Sequence, residues 1–132
     1  MSEKKEKEKK LKGLAKILDQ NLSPLNQNEQ FKEKYKDANI KILINAVDGR
    51  WAALVKIIDR SVEVEGIRNK KENITEEELG WDGKLETTSE ILLDIAMGKI
   101  STLSFLGKLI TRKIKIKHMK KVMILTDLFE ML

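Results

Sequence analysis

At Asn39 the spacing of apolar residues changes from three and four to two, and no other feature limits the fold so strongly. In "NIKILINAVDGRW", Ile40, Ile42, Ile44 and Ala46 share one face of an extended chain, while Lys41, Leu43, Asn45 and Val47 share the other. The β-rich run "WAALVKII" follows, and "SVEVEG" alternates again, with Val62 and Val64 inward and Glu63 and Glu65 toward solvent. Asp48-Gly49 between the first two runs predicts a hairpin with a tight type I′ turn, and Asp59-Arg60 marks a second turn. Three strands of a meander are therefore expected from residue 39 onward.

The flanks read as helices. Leu11, Leu14, Ile17 or Leu18, and Leu22 recur at helical spacing. Ser23 and Pro24 then suit the start of a second helix running to about Asp37, with Leu25, Phe31 and Tyr35 on it. Thr75 with Glu78 forms a capping box for one helical turn inside the surface excursion 67–80. Trp81, Leu85 and Thr87 alternate with Asp82, Lys84 and Glu86, which predicts a fourth strand. Thr88 or Ser89 caps the helix "EILLDIAM", Gly98 suits its C-terminus, and Ser101 opens a further helix. In "RKIKIKH", Ile114, Ile116 and His118 oppose Lys113, Lys115 and Lys117, as on an amphipathic edge strand where lysines discourage sheet-to-sheet pairing. "KKVMILTDLFEML" makes a last helix, apolar on most of its circumference.

At 132 residues and 41% apolar content the chain can bury one core. Residues 1–10 alternate Lys and Glu and read as a charged flexible tail, leaving 11–132 as a single domain. There is no cysteine, no apolar run near the length of a membrane span and no apolar core of a signal peptide, so a cytoplasmic location is expected. The net charge of +5 favours phosphate-bearing partners without choosing among them.

The chain carries no phosphate loop, dinucleotide fingerprint, nucleophile elbow or zinc-protease motif. His118 is the one histidine, and without cysteine only carboxylates could join it on a metal; it reads as an ordinary strand-end residue. No nucleophile and base pair suggests itself, so the chain is expected not to be an enzyme and to need no cofactor. What stands out is an apolar surplus in 91–132, which reads either as core or as the lining of a cavity in which methionines adapt to a lipid chain.

The order of these elements resembles the sterol carrier protein type 2 domain, a family of small lipid-binding domains. The resemblance rests on "NIKILINAVDGRW", "GKLETTSEILLDIAMGKI", Phe105 and "KIKIKHMKKVMILTDLFEML", and covers the chain from near Phe31 to its end. Family members commonly have a glycine just before and just after the Lys-rich strand, where this chain has Arg112 and His118. The C-terminal "EML" also differs from the peroxisomal address of eukaryotic members.

The resemblance implies an α+β fold, a curved, mostly antiparallel five-stranded sheet with helices packed on one face and an apolar tunnel between them. It implies non-catalytic binding and transfer of a sterol-like, isoprenoid, fatty acyl or acyl-CoA ligand. The lining it implies is Leu92, Ile95, Ala96, Phe105, Leu106, Leu109, Met119, Met123, Leu128, Phe129 and Leu132. Lys113, Lys115, Lys117, Lys120 and Lys121 would touch anionic membrane transiently during loading. Two other readings stay open at this point: a basic nucleic-acid module, disfavoured by the lack of stacking aromatics in the lysine strip, and an accessory or dimerising subunit using the terminal helix as its interface.

Overall fold

The computed structural model describes residues 14–96 and 113–131. The expected tail at 1–10, the Gly98 helix end and the Ser101 helix lie outside them. The described elements are α1 (Leu14–Leu22), a 3-10 helix (Ser23–Gln27), α2 (Glu29–Lys34), β1 (Asn39–Ala46), β2 (Trp51–Ile58), β3 (Ser61–Arg68), α3 (Glu76–Leu79), β4 (Gly83–Thr87), α4 (Ser89–Ala96), β5 (Lys115–Lys117), α5 (Met119–Val122) and α6 (Ile124–Glu130).

The strands form one five-stranded sheet in the order β3-β2-β1-β4-β5. Every neighbouring pair is antiparallel except β1 and β4, which run parallel. Register places Ile42 beside Val55 and Ile44 beside Ala53, while Val55 neighbours Val64 and Ile44 neighbours Leu85. Residues directly opposite share a face, so this side of the sheet is apolar from β3 to β5, ending on the half-buried Ile116 beside Leu85. The helices cover it: Ala15, Leu18, Leu22, Leu25, Phe31, Leu92, Val122, Leu125 and Leu128 join the sheet residues in one core. Burying a side chain such as Phe31 or Leu128, each fully inaccessible, contributes about 1.5–3 kcal/mol relative to exposure.

The opposite face is apolar only at its centre. Leu43, Ala52, Leu54 and Trp81 form a second cluster, with Ile67, Ile74 and Leu79 packed on it. The excursion between β3 and β4 is thus the cover of that face. Its single helical turn forms as the capping box predicts, since the Glu78 amide donates to Thr75 Oγ1 at 3.2 Å and Gly80 closes the turn at φ 66°.

Several local expectations are corrected, while the expected turn at Asp59-Arg60 forms. The β1–β2 connection is not a type I′ turn: Gly80 is the one described glycine at positive φ, and Asp48 turns outward to accept hydrogen bonds from Ser89. The tight turn belongs to Asp59 and Arg60, at φ 53° and 62°, between β2 and β3. The second N-terminal helix breaks at Asn28, whose side chain accepts from the Phe31 amide at 3.0 Å and so starts α2 afresh. The fourth strand begins at Gly83, and Trp81 packs on the back of the sheet, away from Leu85.

The fifth strand spans only Lys115–Lys117, at the edge of the sheet. His118 leaves it at φ 60°, in the left-handed region that favours glycine, and so stands on neither strand face. The terminal helix is likewise two pieces, α5 and α6, joined at Met123.

Candidate functional site

The apolar face of the sheet is a floor and the helices are its roof. The roof is fixed at two ends by polar side chains. At one end Asn26 acts as a short mimic of a strand: Val62 N–H donates to its Oδ1 at 2.7 Å, and its Nδ2 donates to the Val62 carbonyl at 3.3 Å. This satisfies part of the exposed edge of β3 and anchors the 3-10 helix to it. At the other end α6 is tied to α2. The Tyr35 hydroxyl donates to Asp127 Oδ2, Lys34 Nζ lies 2.8 Å from the same oxygen, and Asn28 Nδ2 donates to the Met131 carbonyl at 3.2 Å.

The electrostatics follow from that geometry. The hydrogen bond from Lys34, then that from Tyr35, holds the Asp127 carboxyl below its ordinary range. Burial, reinforced by the hydrogen bond and charge of Asp127, pushes the Tyr35 phenol well above its ordinary value. Asp48 is held low by the Ser89 amide and then the Ser89 hydroxyl, an arrangement that places a carboxylate at the N-terminus of α4.

On the back face, Asn45 Nδ2 donates to Glu86 Oε2 at 3.1 Å and Lys84 Nζ lies 2.9 Å from Glu86 Oε1. Desolvation pushes the Glu86 carboxyl up, but the hydrogen bonds from Lys84 and Asn45, with the charges of Lys84 and Lys115, outweigh it and leave the group lowered. The Asn45 amide oxygen is buried without a hydrogen-bond partner, a local cost beside a satisfied ion pair.

Of the residues expected to line a tunnel, Leu92 and Leu128 are buried in the main core, and Met123 is half-buried against it. Met119 is 46% exposed at the start of α5. Ile95 and Ala96 lie on α4 and Phe129 on α6, but their side chains are outside the described set. Phe105, Leu106, Leu109 and Leu132 are outside the described residues altogether. Two surface depressions of about 770 and 310 Å³ flank α3 on the back face, lined in part by Glu76, Glu77 and Asp82, and by Glu65 and Glu78. Carboxylates at those rims suit polar solutes better than an apolar chain.

Sequence reasoning missed the polar fastenings. Asn26, Asn28 and Asp127 carry no motif, and only the fold brings Asp127 to a tyrosine 92 residues away. Among the described residues, no group of three or more acidic or histidine side chains could hold a metal, and no helix is long and apolar enough to cross a membrane.

No protein-family model and no curated protein sequence matches the chain. Solved structures do. One, described as "UbiJ-SCP2 Ubiquinone synthesis protein", is 11% identical with a TM-score of 0.56, over 89% of this chain and 88% of that one. Another, sterol carrier protein-2 like-3 from Aedes aegypti, is 14% identical with a TM-score of 0.54, over 83% of this chain and 93% of that one. With a mixed, mostly antiparallel sheet roofed by helices on its apolar face, this chain has the fold of the sterol carrier protein 2 structures.

Proposed function

We propose that the protein is a cytoplasmic, non-catalytic carrier that binds a hydrophobic ligand between the apolar sheet face and the helices above it. The observation that carries this reading is the uninterrupted apolar face from Val62 and Val64 on β3 to Ile116 on β5, roofed by helices whose charged groups lie at their margins. The fold shared with structures described as a ubiquinone synthesis protein and a sterol carrier protein supports it. A sterol-like, isoprenoid, fatty acyl or acyl-CoA ligand fits the reading, with Leu92, Met123 and Leu128 at the described part of the lining. Affinity would come from withdrawing the chain from water, about 0.8 kcal/mol per methylene before ordering costs.

Native mass spectrometry of gently purified protein, followed by organic extraction, tests this. The expected outcome is a stoichiometric lipid adduct. A clean apo mass, with no uptake from an offered panel of acyl chains, acyl-CoA and isoprenoid lipids, overturns it.

A further inference from the structure

Five lysines, Lys113, Lys115, Lys117, Lys120 and Lys121, fall within nine residues at the corner where β5 turns into α5, and all are exposed. Elsewhere five lysines form ion pairs: Lys32 with Glu29, Lys34 with Asp127, Lys36 with Glu33, Lys56 with Glu65 and Lys84 with Glu86. At this corner Lys115 feels the charge of Glu86, and among the described residues no carboxylate forms an ion pair with the other four.

The sequence explains why. Residues 95–126 contain no acidic side chain and eight of the 26 Lys and Arg residues, so the remainder of the chain has 18 basic against 21 acidic groups. The positive charge is thus concentrated in one stretch of the sequence, five of whose lysines stand at this corner. A surface left unneutralised in this way attracts anions over about a Debye length, some 8–10 Å.

The anion it fits is set by what lies among the lysines. Met119, 46% exposed, is one of only two large apolar side chains exposed among the described residues, and it stands between Lys117 and Lys120. Residues 113–121 contain no Phe, Tyr or Trp on which a nucleobase could stack, and the nearby Trp81 is 5% exposed. Clustered lysines around an accessible unbranched apolar side chain match the boundary of a bilayer, with phosphates outside and acyl chains just beneath.

We infer that the β5–α5 corner is a docking surface for anionic phospholipid bilayers, with Met119 entering the headgroup layer and the five lysines binding phosphate. The inference rests on the carrier reading for its purpose, since it identifies the face at which a hydrophobic cargo is exchanged.

The test is co-pelleting of the full chain with vesicles of pure phosphatidylcholine and of equal parts phosphatidylcholine and phosphatidylglycerol. Binding is expected to the anionic vesicles only and to fall as salt rises. Replacing Lys117, Lys120 and Lys121 together by Gln should weaken it on the order of a hundredfold, from roughly fivefold per surface charge. The matched variant Lys36→Gln/Lys70→Gln/Lys71→Gln, with three exposed lysines on other elements, should bind like the parent. Met119→Ser should weaken binding without changing its salt dependence.

Equal binding to neutral vesicles, no binding to either, or equal losses in both triple variants overturns the inference. So does a single-stranded oligonucleotide that binds the protein more tightly than anionic vesicles do, which would assign the corner to nucleic acid. Pelleting involves no carried ligand, so it separates the two readings. A lipid adduct with no vesicle binding removes the docking surface alone, and vesicle binding by a protein that takes up no lipid removes the carrier alone.

Discussion

Tyr35, at the end of α2, gives its hydroxyl proton in a hydrogen bond to Asp127 in α6, so the described C-terminal helix is fastened to the N-terminal half of the chain by a side-chain pair. A hydrogen bond to a charged acceptor contributes about 1.5–3 kcal/mol. Tyr35→Phe should therefore lower stability by about 1.5 kcal/mol in urea titration, with Lys34 still holding the carboxylate.

The same pair sets the response to pH at both extremes. Asp127 has a depressed folded value, so its stabilisation is present above the ordinary carboxylate range, near 3.9, and is lost as pH falls through the lower folded value. Tyr35 has a raised folded value, so its stabilisation is complete below about pH 10 and disappears as pH climbs from there toward the folded value. Urea midpoints measured against pH should show the parent losing an alkaline advantage that Tyr35→Phe never had.

Gly83 at the start of β4 is a packing requirement. A Cβ built there would lie 2.9 Å from Val122 Cγ2, 3.1 Å from Lys121 Cβ and 3.3 Å from the Val122 backbone nitrogen. Gly83→Ala should cost about 1–3 kcal/mol through overpacking, with partial recovery in Gly83→Ala/Val122→Ala because the shortest of the three contacts is relieved. A double-mutant cycle in chemical denaturation reads this directly.

Arg60 and His118 are held at φ 62° and 60°, where a side chain is strained and glycine is not. Arg60→Gly and His118→Gly should each raise stability by up to about 1 kcal/mol, or about 3–5 °C in Tm for a chain of this size. Thermal melts of the two variants and of their combination should be additive, since the sites lie on separate elements.

Asn26 cannot be replaced by an apolar residue without loss. Asn26→Leu leaves Val62 without its side-chain partners at both N–H and carbonyl, and should cost about 1–3 kcal/mol. Hydrogen exchange should accelerate at Val62 first and leave Val55, inside the β1–β2–β3 ladder, protected.

Strand faces were legible in the sequence because alternation is enforced by burial: Ile42 and Ile44 go to the core, and Glu63 with Glu65 to the other side, as the pattern in "NIKILINA" and "SVEVEG" requires. The capping box at Thr75 was legible because its hydrogen bond spans three residues. The turns were less so. Asp48-Gly49 has the composition of a tight hairpin turn, but the distant Ser89 engages Asp48, and the pair Asp59-Arg60 accepts positive φ without a glycine. Trp81 continues the alternation of β4 in sequence yet packs beneath the sheet, because Leu43 and Leu54 there need a cover. The site divides likewise: Leu92 and Leu128 were readable as buried apolar positions, whereas the Tyr35–Asp127 clasp depends on a distance that only the fold supplies.

The central place of β1 also sets an order of assembly. Its antiparallel partner β2 follows it directly, and β3 follows through a two-residue turn, whereas the parallel contact between Asn45 and Glu86 spans 41 residues and the α2–α6 clasp spans 92. Short loops close at smaller entropic cost, so the meander should be the folding nucleus and the clasp the last contact made. Mutations in Val55 or Val64 should then slow refolding, while Tyr35→Phe should act almost wholly by accelerating unfolding.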